Sequence, residues 1–411
     1  MSDESIDKIQ TTSDADDLSE VADQATIDAF IQMFGATGAT PLKDTDWVAY
    51  VPSGYVAEGD LWGYVRHETE SIYVLDTPVV RGSSVIGRVC ADDEEPPADA
   101  QVIGRVENGA LSLTIRTAMC VRPVRVFPYD LTDRLLSRNT GLLESDAMLD
   151  KTVVLVGVGS VGSYYALQMA RSGVGRFVLI DTDTLEIHNI CRHQCGFDDL
   201  GRYKVDAVRD RVLAINPHAE VVTFRGTIQD MLEDEIMPYL GRNTLVVGGG
   251  DNRASAAYAC SLACETDSAF VAVGCWTRAY AGEVFYWQSG HDLSCYECAF
   301  EGLLSEERPE SHSRYFGTRE DEENLDFEPG IAADIDFVNC VAVKVGLDLL
   351  NRDNPGYTQR VLGYLKQYTW VCNTNATNIG GPYAAIFEHP LQVTHNLKCA
   401  KRASCPHCSG R

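Results

Sequence analysis

Val153-Val-Leu-Val-Gly157-Val-Gly159-Ser160-Val-Gly162-Ser163 is an apolar run of strand length that breaks into glycines and passes at once into a helical pattern. That order sets a backbone turn beside a helix N-terminus, where unpaired N–H groups and the positive end of the helix dipole can hold a phosphate. Gly157 suits a tight turn, Gly159 a close backbone approach to a ligand, and Gly162 close packing of helix on sheet. The next apolar run, Arg176–Asp181, ends in an acid 19 residues past Gly162 (181 − 162), close to the usual distance for a ribose-binding carboxylate. The pattern predicts a nucleotide site in an α/β domain.

Glycine loops of this kind serve dehydrogenases, flavoproteins and ATP users alike, so the residues after Asp181 discriminate. An NAD enzyme needs little beyond the acid. Here the chain continues Asp181-Thr-Asp183, then Asn189-Ile-Cys-Arg192-His193, then Lys204. Two cations and an amide downstream of the ribose acid suit a triphosphate better than a dinucleotide. Thr244–Gly250 is a further strand running into glycines, followed by Asp251-Asn252-Arg253. An acid at a strand's carboxyl end is where a Mg²⁺ ligand or an adenylate contact lies in an open α/β sheet.

In these motifs, from about Arg138 to the C-terminus, the sequence resembles the ubiquitin-activating-enzyme-like adenylating family of ThiF/MoeB type. The resemblance implies a Rossmann-like ATP-binding adenylation domain. It implies ribose binding by Asp181, with Asp183 as second acid of the motif, and phosphate binding by Asn189, Arg192 and Lys204. Asp251 is implied as a metal or adenylate contact. An upstream arginine that reaches a neighbouring subunit's site has its best counterpart in Arg138, with Arg134 second. Plain alternatives stand beside these roles: Asp183 as a turn cap, His193 as a packed core histidine, and both upstream arginines as surface residues of a helical stretch.

Two Cys-x-x-Cys pairs, Cys295/Cys298 and Cys405/Cys408, offer four thiolates for tetrahedral Zn²⁺ that ties together distant parts of the chain. The family shows the same pairs. Between them, 301–334 is polar and highly charged, and reads as a long loop. By resemblance it is the crossover segment that covers a substrate tail and, in thiol-transferring members, carries an acceptor cysteine; here it contains none. Cys340 follows in the apolar helical stretch Phe337–Leu350, where burial is expected of a free cysteine.

Length and composition bound the rest. A chain of 411 residues with a net charge of −26 holds more than one domain and is poorly suited to nonspecific binding of nucleic acid or anionic membrane. No apolar run is long enough to span a bilayer and no secretory signal is read. With 14 cysteines, that points to reduced thiols in the cytoplasm. Residues 1–25 read as a flexible acidic tail. Ile27, Phe30, Ile31 and Phe34 recur at helical intervals within Thr26–Phe34. From Trp47 to Tyr129 the pattern is short β-rich stretches: Trp47–Val51, Ser71–Val80, Val85–Ala91, Ala110–Thr117 and Val121–Phe127. Residues 26–130 are therefore expected to form a smaller β-rich or α+β domain that binds protein, and 131–411 the adenylation domain with its crossover loop and zinc knuckles. In the metal-hydrolase sense His67 has no second ligand near it in sequence.

The resulting expectation is an enzyme that uses ATP and Mg²⁺ to adenylate the C-terminal carboxylate of a ubiquitin-like or sulfur-carrier protein. Transfer to a thiol and a downstream thiol-bearing conjugating protein are left open. The resemblance implies a homodimer. The alternatives are activation of a small molecule or a tRNA base by the same chemistry, and a non-catalytic partner subunit.

Overall fold

The computed structural model describes residues 47–76, 83–91, 93–118, 120–130, 135–250, 252–276, 279–301, 330–374 and 394–408. The acidic tail, the stretch Thr26–Phe34, Arg134, Asp251 and most of the crossover segment lie outside the described residues.

The N-terminal part is a closed barrel of seven strands: β1 (Val48–Pro52), β2 (Gly59–Arg66), β3 (Ser71–Leu75), β4 (Ser84–Cys90), β5 (Val102–Glu107), β6 (Ala110–Arg116) and β7 (Val121–Tyr129). Their order is β1-β3-β2-β4-β5-β6-β7, and β7 closes on β1 in parallel. Alternate residues point inward. Trp47, Ala49, Val51, Leu61, Ile72, Val74, Ile86, Val89, Val102, Leu113, Ile115 and Val124 fill the interior. Two of the strands, β2 and β5, have no counterpart among the five stretches read from the sequence. Each is interrupted by a glycine and charged residues that blur the alternation.

The larger part is one eight-stranded sheet: β8 (Thr152–Val156), β9 (Arg176–Ile180), β10 (Glu220–Phe224), β11 (Thr244–Gly248), β12 (Ala269–Cys275), β13 (Ala281–Trp287), β14 (Tyr368–Cys372) and β15 (Thr394–Leu397). The order is β10-β9-β8-β11-β12-β13-β14-β15. The first five in that order run parallel, and β13 to β15 add antiparallel pairs. Helices α1 (Ser160–Arg171), α2 (Lys204–Ile215), α3 (Arg253–Thr266) and α4 (Ala332–Leu350) cover it. Because both faces are covered, β8 and β11 are buried at every position, as parallel strands between helices are.

Odd positions of β8 (Val153, Leu155) join Tyr165, Met169, Val338 and Ala342 of α1 and α4 in one core; even positions (Val154, Val156) join Ala259, Ala263 and the cysteine cluster in the other. Full burial of each such side chain is worth about 1.5–3 kcal/mol. The chain leaves β8 toward β9 and β10 on one side and returns from β10 to β11 on the other side of β8. The crevice between β8 and β11, at their carboxyl ends, is where such sheets take ligands.

Past α4, residues 351–367 form loop and turns, although Val361–Val371 has the alternation of a strand, and pairing begins only at Tyr368. Asp348 explains the difference. Its fully buried carboxylate accepts from the Tyr357 hydroxyl (2.8 Å) and the backbone N–H groups of Arg360, Val361 and Leu362 (2.7–2.9 Å). Those N–H groups are thereby spent on a side chain and are not free for a ladder. Cys340, expected to be buried, is exposed. It lies on the side of α4 turned away from Val338 and Ala342, so the apolar composition of the helix did not reveal its facing.

Candidate nucleotide site

The glycine loop sits between β8 and α1. Gly157 has φ +90°, a left-handed conformation, and a Cβ there would come within 2.7 Å of the Gly250 backbone. At Gly162 a Cβ would meet the Gly157 carbonyl oxygen at 2.0 Å, so the loop can close on the first helical turn only without a side chain. Gly159, the residue before α1, has nothing within 4 Å of where a Cβ would stand; that side of the loop faces open space.

Two side chains hold the loop from opposite sides through Val158. Asp181 Oδ2 accepts from the Val158 N–H at 2.7 Å and its Oδ1 accepts from the Asp183 N–H at 2.9 Å. His193 is 7% exposed; its Nδ1 accepts from the Cys195 N–H (3.1 Å), which leaves the proton on Nε2, 2.9 Å from the Val158 carbonyl. Burial lowers the His193 pKa, opposed by its bond to that carbonyl. A neutral imidazole in this role matches the packed-histidine alternative rather than a proton-transfer group.

Around this loop the sequence-predicted residues divide. Lys204, the first residue of α2, places Nζ 2.7 Å from Asp183 Oδ2; the lysine side chain is 11% exposed and the carboxylate 61%. The hydrogen bond from Lys204 holds the Asp183 carboxyl below the ordinary range. Asn189 is turned to local use: its Oδ1 accepts from the Glu186 N–H at 2.9 Å. Arg192 is partly buried, and its Nη1 lies 3.8 Å from the Cβ position of Gly330, where the chain returns from the crossover segment into α4. Asp251 is outside the described residues; on either side of it in the chain, Gly250 abuts Gly157 and Asn252 caps α3 by accepting from the Ala254 and Ser255 N–H groups. Arg138 is exposed in a turn whose next residue, Asn139, donates to the Arg171 carbonyl at the far end of α1. It therefore stands away from its own chain's glycine loop.

One cluster beside the site was missed. Glu283 of β13, 7% exposed, accepts from Arg253 Nη2 (2.7 Å), Trp276 Nε1 (3.3 Å) and the Tyr368 hydroxyl. Arg253 also lies over the Phe300 ring at 4.7 Å and donates to the Tyr296 hydroxyl at 3.2 Å. Burial, reinforced by the Glu283 charge, pushes the Tyr368 hydroxyl up and keeps it a donor. The available signal was an acid in the middle of the otherwise apolar run Ala281–Trp287, a position where a carboxylate must be partnered.

On the face of the sheet that carries α3, Cys295, Cys298, Cys405 and Cys408 are all buried, and their sulfurs lie within 4.8 Å of one another. The Cys295–Cys405 and Cys298–Cys408 pairs are 3.4 and 3.3 Å apart. Four soft donors at this spacing fit tetrahedral zinc, which would tie the segment after β13 to the C-terminal segment. No helix among the described residues is long and apolar enough to cross a membrane.

A mostly parallel sheet with a glycine loop at its switch point, a carboxylate at the next strand end and antiparallel strands appended defines a Rossmann-like α/β domain. Residues 132–368 match the ThiF family over more than half of the chain, and the protein belongs to that family. Ubiquitin-like modifier-activating enzyme 5 of Caenorhabditis elegans is 32% identical over 164 residues, 38% of this chain and 39% of that protein. The tRNA threonylcarbamoyladenosine dehydratase of Bacillus subtilis is 40% identical over 81 residues, 20% of this chain and 32% of the enzyme. Molybdopterin-synthase adenylyltransferase of Salmonella typhimurium is 28% identical over 154 residues, 37% and 60% of the two chains. The chain thus spans between a third and three fifths of these relatives' own length. Among solved structures, Escherichia coli MccB with ATP aligns at a TM-score of 0.46 and 16% identity, covering 64% of this chain and 68% of that one.

Proposed function

We propose that this chain uses ATP to adenylate the C-terminal carboxylate of a ubiquitin-like or sulfur-carrier protein. The observation that carries this reading is the glycine loop, clamped at Val158 by Asp181 and His193, with Lys204 beside it and Arg192 against the end of the crossover segment. The open side at Gly159 receives the triphosphate at the start of α1, and Asp181 retains acceptor capacity for a ribose hydroxyl.

The carrier's carboxylate, ionised at neutral pH, attacks the α-phosphorus; the bond from that phosphorus to the bridging oxygen breaks, giving an acyl-adenylate and pyrophosphate. No general base is required. Lys204 exchanges its Asp183 partner for phosphate oxygens, and Arg192 meets the charge that develops as pyrophosphate leaves. Asp251, an oxygen donor that follows Gly250 in sequence, suits Mg²⁺, which when bound neutralises charge on the phosphates. Arg138 serves the site of a neighbouring subunit in a homodimer.

A second reading draws on the dehydratase relative: activation of a tRNA base by the same chemistry. The net charge of −26 disfavours it. Pyrophosphate exchange into ATP, measured with carriers ending in Gly-Gly and separately with tRNA, distinguishes the two. Exchange that depends on the carrier supports the first reading; exchange or AMP formation only with tRNA overturns it.

A further inference from the structure

The outer surface of the barrel carries a row of aromatic side chains across four adjacent strands. Tyr64 of β2 is opposite Tyr73 of β3, Tyr73 opposite Tyr50 of β1, and Tyr50 opposite Phe127 of β7. The Tyr50 ring stacks on Tyr73 at 5.0 Å and on Phe127 at 6.0 Å, with Tyr73 42% and Phe127 38% exposed. Trp62 and Leu75 form a second apolar pair beside this row, and Val85, 47% exposed, extends it. Arg66 and Arg125 border the opposite edge, Arg66 lying over the Tyr64 ring at 4.8 Å.

A contiguous aromatic face of this kind marks an interaction surface. Its chemistry narrows the occupant. The rings spend their faces on one another, which leaves edges and hydroxyls outward, a poor platform for stacked bases. What fits is an apolar stripe with carboxylates at one end.

We propose that this face is the docking site for the chain's own residues 26–34. Ile27, Phe30, Ile31 and Phe34 recur at helical spacing and give such a stripe, while Asp16, Asp17, Glu20 and Asp23 precede it with the charge that Arg66 and Arg125 attract. The connection is short and correctly placed. Residues 35–46 lead directly into Trp47 and β1, whose Tyr50 is in the middle of the row, and twelve residues reach at most about 40 Å. Docking there would cover Tyr73 and Phe127, the most exposed rings of the row.

The test is hydroxyl-radical footprinting of the full chain, read at Tyr73 and Phe127, in the wild type and in a Phe30→Asp, Ile31→Asp double variant. Docking predicts labelling of both rings to rise about threefold or more in the variant, as expected when covered side chains open to solvent, with labelling in the sheet domain unchanged. An Arg66→Glu, Arg125→Glu variant should raise it in the same direction through loss of charge attraction alone. Equal labelling in wild type and double variant overturns the proposal. Equally high values mean an open face, and equally low values that fall with protein concentration mean a second copy covers it.

Discussion

Asp348 and Asp181 both accept backbone N–H groups, and they differ in how many acceptor positions those groups occupy. Asp348 is fully buried and its oxygens take four donors, all from the loop it organises. Asp181 is partly exposed and takes two, one from the glycine loop and one from its own turn. A carboxylate offers about four acceptor positions. Asp348 is saturated and can only be structural, whereas Asp181 holds a loop in place and still has capacity for something that comes from solvent. Spare hydrogen-bonding capacity, more than charge or burial, separates the proposed nucleotide edge of the sheet from the rest.

That contrast can be broken most decisively at the edge itself. Lys204→Ala and Arg192→Ala should each slow pyrophosphate exchange by about 10²–10³, the scale for losing one preorganised donor to a transition-state charge. Thermal unfolding should move little in the lysine variant, since its partner Asp183 is 61% exposed and such pairs contribute little to stability. Near-normal exchange in both variants would remove these residues from the reaction. Asp348→Ala should show the opposite profile: a loss of about 3 kcal/mol of unfolding free energy, because several donors lose their acceptor at once, with the KM for ATP unchanged. A raised KM there would show that the loop after α4 reaches the nucleotide and that the two carboxylates are not functionally distinct.

Which parts of this were legible in the sequence follows from how local their causes are. The glycine loop, β8, β9 and β11 were readable because each is a short apolar run ending in glycine or acid, whereas Lys204 was singled out by its place in the motif order of the resembled family. The four thiols were readable in spite of a separation of 110 positions, since each knuckle is local. The Glu283 cluster was not: it gathers Arg253, Trp276 and Tyr368 from three separate elements, and only the finished sheet brings them together. Barrel closure was hidden for the same reason. Strand β1 lies parallel to both β3 and β7, pairings that no hairpin turn announces. Asn189 is a mixed case, a motif residue whose amide oxygen is used by its own turn.

Asp181→Asn sharpens the comparison at smaller amplitude. The amide keeps one acceptor oxygen, so one of the two N–H bonds is lost and stability should fall by about 1–2 kcal/mol. If the remaining capacity is what a ribose hydroxyl uses, the KM for ATP should also rise about tenfold, equivalent to about 1.4 kcal/mol of binding. Titration of ATP into the variant checks this directly. Unchanged affinity beside the expected loss of stability would make Asp181 a loop clamp of the same kind as Asp348.

His193 offers the smallest and most specific effect, because it holds the same Val158 from the other side. Burial lowers its pKa in the folded protein, so between that value and the unfolded pKa near 6.5 the unfolded chain binds the additional proton. Its contribution is therefore complete above about pH 6.5 and is lost as pH falls through that range, giving a positive slope of stability with pH. Denaturant titrations at a series of pH values should show this slope in the wild type and a shallower one in His193→Gln, which cannot take up a proton. If the slopes coincide, the proton uptake that accompanies unfolding in this range comes from elsewhere, and His193 holds Val158 without coupling the glycine loop to pH.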